Sequence, residues 1–392
     1  VVGRLESSAY IGGVAIGTVI FNTLYWLFGF LRVSTSGFSA QSLGSANPED
    51  RYTAYFRPLV IALAIGLSFV ALQAPIIRTA VYLYRAEAEV TRHAVTYFSI
   101  LIWGAPLELI HYVNLGWLMG RKRVSESLLL QISTNLLNIR LDLLFVLVFR
   151  WEVAGVAWAT LISQTYAFVL GMVLISRRIE LKRFFRFRSQ VLAFGAMKRM
   201  MAVNANLLIR TVCLLTMTNM FTAKGSSFGA EVLAANAILF QIQYIVAYFF
   251  DGLANASSVF AGKSVGEGDP AAFNRIVAVS NVHAVWLCAC AALCLALLQG
   301  PIIRCFTDLA PVIDLCRDYM PWLVAFPLVM GIGLVYSGFY TGATYTAPLR
   351  NSLLVALLVF VIAYYTAIPP WGNHGLWLAF TLFSLCRSGV LV

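Results

Sequence analysis

The sequence predicts an all-α polytopic membrane protein made of two homologous halves. Three observations carry that prediction. The chain is 60% hydrophobic and only 11% charged, with a mean hydropathy of +0.81, whereas soluble domains carry about 25% charged residues. Its apolar stretches are long enough to cross about 30 Å of hydrocarbon as helices, and the short alternating segments of an outer-membrane barrel are absent. The segment Tyr10–Pro48 also recurs without a gap as Val232–Pro270, 222 residues later, with ten of 39 pairs identical. Phe28/Phe250, Ser36/Ser258, Gly44/Gly266 and Pro48/Pro270 are among those pairs. An offset that long is no solenoid period, and internal duplication in an apolar chain marks transporters.

Eleven spans are expected, centred near residues 22, 65, 107, 138, 165, 211, 243, 287, 331, 360 and 384. Eleven is odd for a duplicated protein. The chain enters at Val1 on a short polar turn, Gly3-Arg4-Leu5-Glu6-Ser7, and stops at Leu391-Val392 inside an apolar run. A further span ahead of Val1 is therefore expected in the full-length protein, giving twelve as six plus six. The repeat continues beyond its best segment. Pro106-Leu107 is followed by Gly116 and Gly120, and Pro327-Leu328 by Gly338 and Gly342. Gly155-Val-Ala-Trp-Ala159 likewise matches Gly375-Leu-Trp-Leu-Ala379. Each match is six spans apart, an even number, so the halves are expected to be parallel repeats about an axis along the membrane normal. The expected division is an N-terminal lobe over 1–176, a basic linker over 177–199 and a C-terminal lobe over 200–392. Two such six-helix lobes can rock about a central cavity, which is the geometry of alternating access.

Charge placement sets the orientation. Eight of the 28 Lys and Arg residues lie in the linker, between Arg177 and Arg199, which places it in the cytoplasm. The net charge of +11 thus reads as a topology anchor that also touches anionic lipid, and nucleic acid is rejected as a partner. The expected setting is the inner membrane of a bacterial cell, as a monomer whose partners are the lipid bilayer and small organic molecules. All seven cysteines lie in the second half without a CxxC pair, most of them as packing residues inside spans. Cys305 and Cys316 flank one loop and can pair only if it faces an oxidising compartment. No enzyme signature is present: there is no metal-ligand spacing and no GxSxG, and Gly262-Lys263-Ser264 lacks the Walker spacing. No cofactor beyond a coupling ion is expected.

Polar residues inside the spans need a reason, because a charge at the bilayer centre costs about 2.5–3.5 kcal/mol or more. The densest set is on the fifth span of the twelve. Asn135, Asn138 and Asp142, at i, i+3 and i+7, share one helical face. Asp142 and Thr160 are each nine residues from Trp151, in the turn to the next span, and so sit at similar depth on adjacent helices. A carboxylate, an amide oxygen and a hydroxyl converging there suit a hard cation such as Na⁺, or a proton. The bland alternative is a hydrogen-bond cluster with Asp142 paired to Arg140. On the fourth span, Glu108 and His111 can face a cavity and relay protons, or His111 can simply satisfy a neighbour. Asn114 lies closer to the basic turn Arg121-Lys122-Arg123, nearer the cytoplasm than Asp142. In the second half, Asn204, Asn206 and Arg210 lie on the seventh span and Asp251 and Asn255 on the eighth. Arg210 and Asp251, at similar depth, are either a structural ion pair or a switch opened by substrate or proton.

These residues resemble a known family. Val1-Val2-Gly3-Arg4-Leu5, Phe30-Leu31-Arg32-Val33-Ser34-Thr35-Ser36-Gly37 with Ala40-Gln41, and Thr134 through Asp142 carry the likeness, followed by Asn204 to Arg210, Leu233-Ala-Ala-Asn236-Ala, and Asp251-Gly252 with Gly262-Lys263. They run in order along nearly the whole chain and resemble the multidrug and toxic compound extrusion (MATE) transporters, specifically the DinF-like branch. The resemblance implies twelve helices in two lobes and an antiporter exporting amphipathic, often cationic organic compounds in exchange for H⁺ or Na⁺. It also implies a cation site in the N-terminal lobe, to which Asn138, Asp142 and Thr160 match. Asn114 is the nearest candidate for a fourth-helix Asn of that site, and a first-helix Asp would fall immediately upstream of Val1. The remaining polar set (Glu108, Asn135, Asn204, Arg210 and Asp251) would line the substrate cavity or gate it. The alternative within the superfamily is a lipid-linked oligosaccharide flippase, which needs a cavity rich in unpaired Arg. Here only Arg32, Arg140, Arg210 and Arg387 lie within spans. A membrane-embedded transferase would show acid and His clusters at one interface, and none is seen.

Overall fold

Lipid leaves the backbone few options, because a peptide group unpaired in hydrocarbon costs several kcal/mol and a helix pairs all of its own. The computed structural model describes residues 8–392, so the Val1–Leu5 segment and the polar turn Gly3–Ser7 lie outside the described residues. Among those residues there is no strand. The first five helices are α1 (Ser8–Phe28), α2 (Phe30–Gly44), α3 (Asp50–Ala71), α4 (Gln73–Tyr84) and α5 (Ala88–Leu101). Then come α6 (Ala105–Gly120), α7 (Val124–Asp142), α8 (Glu152–Ser176), the short α9 (Phe184–Val191) and α10 (Phe194–Ser226). The chain ends with α11 (Ala230–Glu267), α12 (Pro270–Arg304), α13 (Ala310–Gly342) and α14 (Ala347–Leu391).

Ten continuous helical stretches among the described residues are long and apolar enough to span a membrane, against eleven spans expected. The difference lies in α14. Its 45 residues would extend about 67 Å as one straight rod, at about 1.5 Å per residue, roughly twice the hydrocarbon thickness. The helix breaks instead at Gly372 (φ 53°, ψ −127°), just after Pro369-Pro370. That backbone conformation is open to glycine because it has no Cβ. The chain then folds back, bringing the rings of Phe360 and Phe383 to 6.2 Å. The α14 stretch is two helices, each long enough for a span, which makes eleven among the described residues.

The chain forms two compact units, Val1–Leu43 with Asn47–Met201, and Gly44–Ala46 with Ala202–Val392. In the first, α1 packs on α5, α3 on α6, and α8 on α5, α6 and α7. In the second, α13 is central and packs on α11, α12 and α14. The duplication is visible in how the helices touch. A Cβ placed on Gly116 would strike the carbonyl oxygen of Arg32, and one on Gly338 would strike that of Ala254. Gly120 approaches the Ser36 carbonyl, and Gly342 the Ser258 carbonyl. Each partner is displaced by 222 residues, so both lobes use small residues to bring two helix backbones together. Both copies of the repeat end on a short polar residue before a proline, used differently: Asp269 Oδ1 caps α12 by accepting from the Ala272 N–H (2.9 Å), whereas Asn47 Oδ1 accepts from the Glu49 N–H (3.0 Å) in the turn ahead of α3.

The linker is folded rather than free. Phe184 of α9 meets Phe56 of α3 edge-on and Phe187 stacks on Tyr52, at ring separations of 5.3 and 5.1 Å. Arg57 donates to the Gln190 carbonyl at 2.9 Å. Arg183 grips Glu180 through two hydrogen bonds of 3.0 and 2.8 Å and holds that carboxyl below its ordinary range. All seven cysteines are free thiols, Cys305 exposed and Cys316 buried against the Ala235 carbonyl.

The shared glycines generate a prediction. Gly120→Leu and Gly342→Leu each force two backbones apart, and overpacking of this kind costs about 1–3 kcal/mol or more. Both variants should lose most of their monodisperse protein in size-exclusion chromatography after extraction. Gly252→Ala, whose Cβ would meet nothing within 4 Å, should extract like the wild type.

Candidate cation and substrate sites

Asp142 closes α7 at an unusual place. From Leu143 to Val148 the helix widens into a π-helical turn, with the Phe149 N–H donating to the Leu144 carbonyl (3.0 Å) and the Trp151 N–H to that of Phe145 (2.9 Å). Such single widened turns recur at functional sites because they redirect a side chain without ending the helix. One turn earlier stands Asn138. Asp142 Oδ1 and Asn138 Nδ2 are both buried and have no hydrogen-bond partner among the described residues. Arg140 is exposed and forms no ion pair with Asp142 within 4.0 Å.

Thr160, on α8, spends its hydroxyl proton on the Val156 carbonyl at 3.0 Å, which leaves its oxygen free to accept. Its neighbour is the Tyr97 hydroxyl of α5, which faces both Thr160 and Thr18 of α1 and feels the Asp142 charge. Four helices therefore aim polar groups at one region of the first lobe. The sequence singles out Asn138, Asp142 and Thr160 but not Tyr97 and Thr18, which the structure places beside Thr160. A signal existed in Tyr97, a tyrosine buried in mid-span rather than placed in the interfacial belt where tyrosines gather.

A second polar layer lies alongside. The Tyr25 hydroxyl of α1 faces Glu108 of α6 and Gln164 of α8, and Tyr112 lies between the charges of Glu108 and Arg32. Gln164 is one turn from Thr160, and Tyr25 two turns from Thr18, so the layers are about 6–10 Å apart along their helices. His111 is buried beside the Arg32 charge, its Nδ1 without a partner among the described residues.

Asn114 is not brought to Asp142. It is fully buried, its Oδ1 accepts from the Tyr55 hydroxyl at 2.8 Å, and its amide nitrogen packs over Gly171. Gly171 is eleven residues past Thr160 on α8, about 16 Å along the axis. Asn135 is exposed on α7. In the second lobe no ion pair within 4.0 Å closes between Arg210 and Asp251, so the structural pairing allowed by their depth is not formed. Asn204 is 2% exposed, and neither of its amide atoms has a partner among the described residues. Neighbouring Asn206 is engaged by Thr346 and Arg350, at 3.2 and 3.0 Å. No group of three or more His, Cys, Asp or Glu among the described residues is placed to hold a metal.

The MatE family model matches residues 1–144 and 207–366. The chain belongs to the MatE family. It is 32% identical to the DNA damage-inducible protein F of Escherichia coli K12, over 99% of this chain and 84% of that protein. It is 25% identical to Protein DETOXIFICATION 43 of Arabidopsis thaliana, over 74% of this chain and 54% of that one. The crystal structure of MATE in complex with MaD3S superimposes with a TM-score of 0.85 at 19% identity, over 99% of this chain and 87% of that one. That likeness shows the fold. This MatE protein is accordingly a multi-pass membrane transporter and not an enzyme.

The Tyr55–Asn114 bond has a measurable consequence. Tyr55→Phe leaves a buried amide oxygen unpaired, at a cost of about 1–3 kcal/mol. Thermal unfolding of the purified protein should fall by several degrees, while transport per folded molecule stays at the wild-type level.

Proposed function

We propose that the protein is a secondary antiporter that exports amphipathic organic compounds in exchange for H⁺ or Na⁺ by alternating access of its two lobes. The observation that carries the reading is the Asp142 carboxylate with Asn138, Thr160 and Tyr97. Two buried polar atoms there lack partners among the described residues, at the point where α7 changes its winding. A lone carboxylate inside a membrane span is costly and marks an ion or proton pathway. Protonation removes the charge, and Na⁺ balances it with amide and hydroxyl oxygens, which suit a hard cation.

Coupling then follows from differential affinity. A cation that binds better when α7 is wound one way shifts the lobe toward that form, and a substrate that prefers the other is released. The π-helical turn supplies a place where the winding can change without breaking the span. Glu108, with Tyr25 and Gln164, forms a second layer through which a proton can leave or enter the first. The E. coli relative supports placement in a bacterial inner membrane, where the protein works as a monomer.

The test uses full-length protein in proteoliposomes with imposed pH or Na⁺ gradients. Asp142→Asn is expected to cut gradient-driven exchange to below a tenth of wild type, and Tyr97→Phe to weaken it several-fold, whereas Arg140→Gln is expected to retain it. Wild-type exchange by Asp142→Asn under both gradients would overturn the proposal.

A further inference from the structure

The second lobe holds a charge that its ion pairs leave unbalanced. Arg387, near the end of α14, is 5% exposed, yet no ion pair within 4.0 Å and no hydrogen bond engages its guanidinium among the described residues. The charges that act on it are those of Arg210 on α10 and Asp251 on α11. Two guanidiniums, Arg387 buried and Arg210 half-buried, share one exposed carboxylate, so the cluster carries one net positive charge. A buried cation without a counter-charge is costly, and an anion brought to it is bound in a low-dielectric setting where the attraction is strong.

An apolar recess lies further along the same two helices. A cavity of about 150 Å³ is lined by Thr218 and Phe221 of α10 and by Asn236, Phe240 and Tyr244 of α11. Its aromatic wall continues through Trp377, whose ring lies 5.6 Å from that of Phe240. Thr218 is eight residues from Arg210, and Tyr244 seven from Asp251, so the recess lies about 10–12 Å from the charges along the helix axes. Asn236 does not contribute a loose polar group there. Its amide exchanges two hydrogen bonds with Asn373 (2.8 and 3.0 Å) and accepts one from the Trp377 indole (2.9 Å).

We propose that the second lobe binds an amphipathic organic anion, its carboxylate on Arg387 and Arg210 and its apolar, ring-bearing end in the Phe221–Phe240–Tyr244 recess. This class is opposite in sign to the cationic compounds that the family resemblance implies. The assignment deepens the antiporter reading, on which it rests for the bound anion being a transported substrate. Asp251 then acts as the competing carboxylate: it partly neutralises the arginines when no substrate is bound and yields to the ligand.

The probe pair is 6-phenylhexanoate and 6-phenylhexan-1-amine, which share one apolar body with a head group about 10 Å from the ring and carry opposite charges at neutral pH. Binding is measured calorimetrically on the whole purified protein in nanodiscs, with protein-free nanodiscs as blank. The wild type should bind the acid at least tenfold more tightly than the amine. Arg387→Gln should bring the two within threefold, and Arg387→Lys should keep most of the preference. Arg210→Gln decides the matter if Arg387→Gln does not yield folded protein, and Thr218→Trp, which fills the recess, should weaken both probes. Nanodiscs of phosphatidylcholine and of phosphatidylglycerol should give the same preference. Loss of the preference in phosphatidylglycerol would assign the arginines to lipid headgroups and overturn the proposal. Equal or tighter binding of the amine by wild type would overturn it too, as would a tenfold preference surviving in the arginine-to-glutamine variants. No gradient enters this measurement, so its failure leaves coupling at Asp142 standing, and failed exchange there leaves this assignment standing.

Discussion

The cost of an unpaired polar group in hydrocarbon organises this protein at every scale. It makes the chain helical, since only a helix satisfies its own backbone within one span. It also explains why the helices meet through glycines. Lipid tails are as apolar as leucine, so burial supplies little drive for helix association, and close van der Waals approach takes its place. Gly116 and Gly120 in the first lobe, and Gly338 and Gly342 in the second, let a backbone lie directly on the carbonyls of its neighbour.

The same cost separates structural from functional polar residues. Asn236, Asn373 and Trp377 close on one another, and Tyr55 pairs with the amide oxygen of Asn114. These groups are spent on holding helices together. Asp142, Asn138 and Arg387 are not spent. Asp142 and Asn138 each keep a buried atom without a hydrogen-bond partner among the described residues, and Arg387 is buried without an ion pair within 4.0 Å among them, so these groups are open to a partner that comes and goes.

The two lobes share a scaffold and differ where chemistry sits. Gly29 in the first copy of the repeat corresponds to Asp251 in the second, and Arg32 to Ala254. Duplication preserved the helix crossings, for which geometry is strict, and released the polar positions, for which it is not. The first lobe accordingly gathers carboxylates, hydroxyls and amides around Asp142 and Glu108, and the second gathers arginines and aromatic rings.

Much of this was legible from the chain alone. Span count, the division into two units and the placing of Asn138 and Asp142 a turn apart on one helix all depend on local composition or on spacing along the chain, which sequence records directly. Even the break at Gly372 is announced by two prolines. What the chain could not reveal depends on which faces of distant helices meet. Tyr97 and Thr18 reach the Asp142 region from helices far away in sequence. Asn114, matched to that site by resemblance, turns toward Tyr55 because α6 packs on α3. Arg387 was one of four arginines within spans, and only tertiary packing shows that it is buried, within the field of Arg210 and a single Asp251. Periodicity along a helix tells which residues share a face, and packing between helices decides what that face is turned toward.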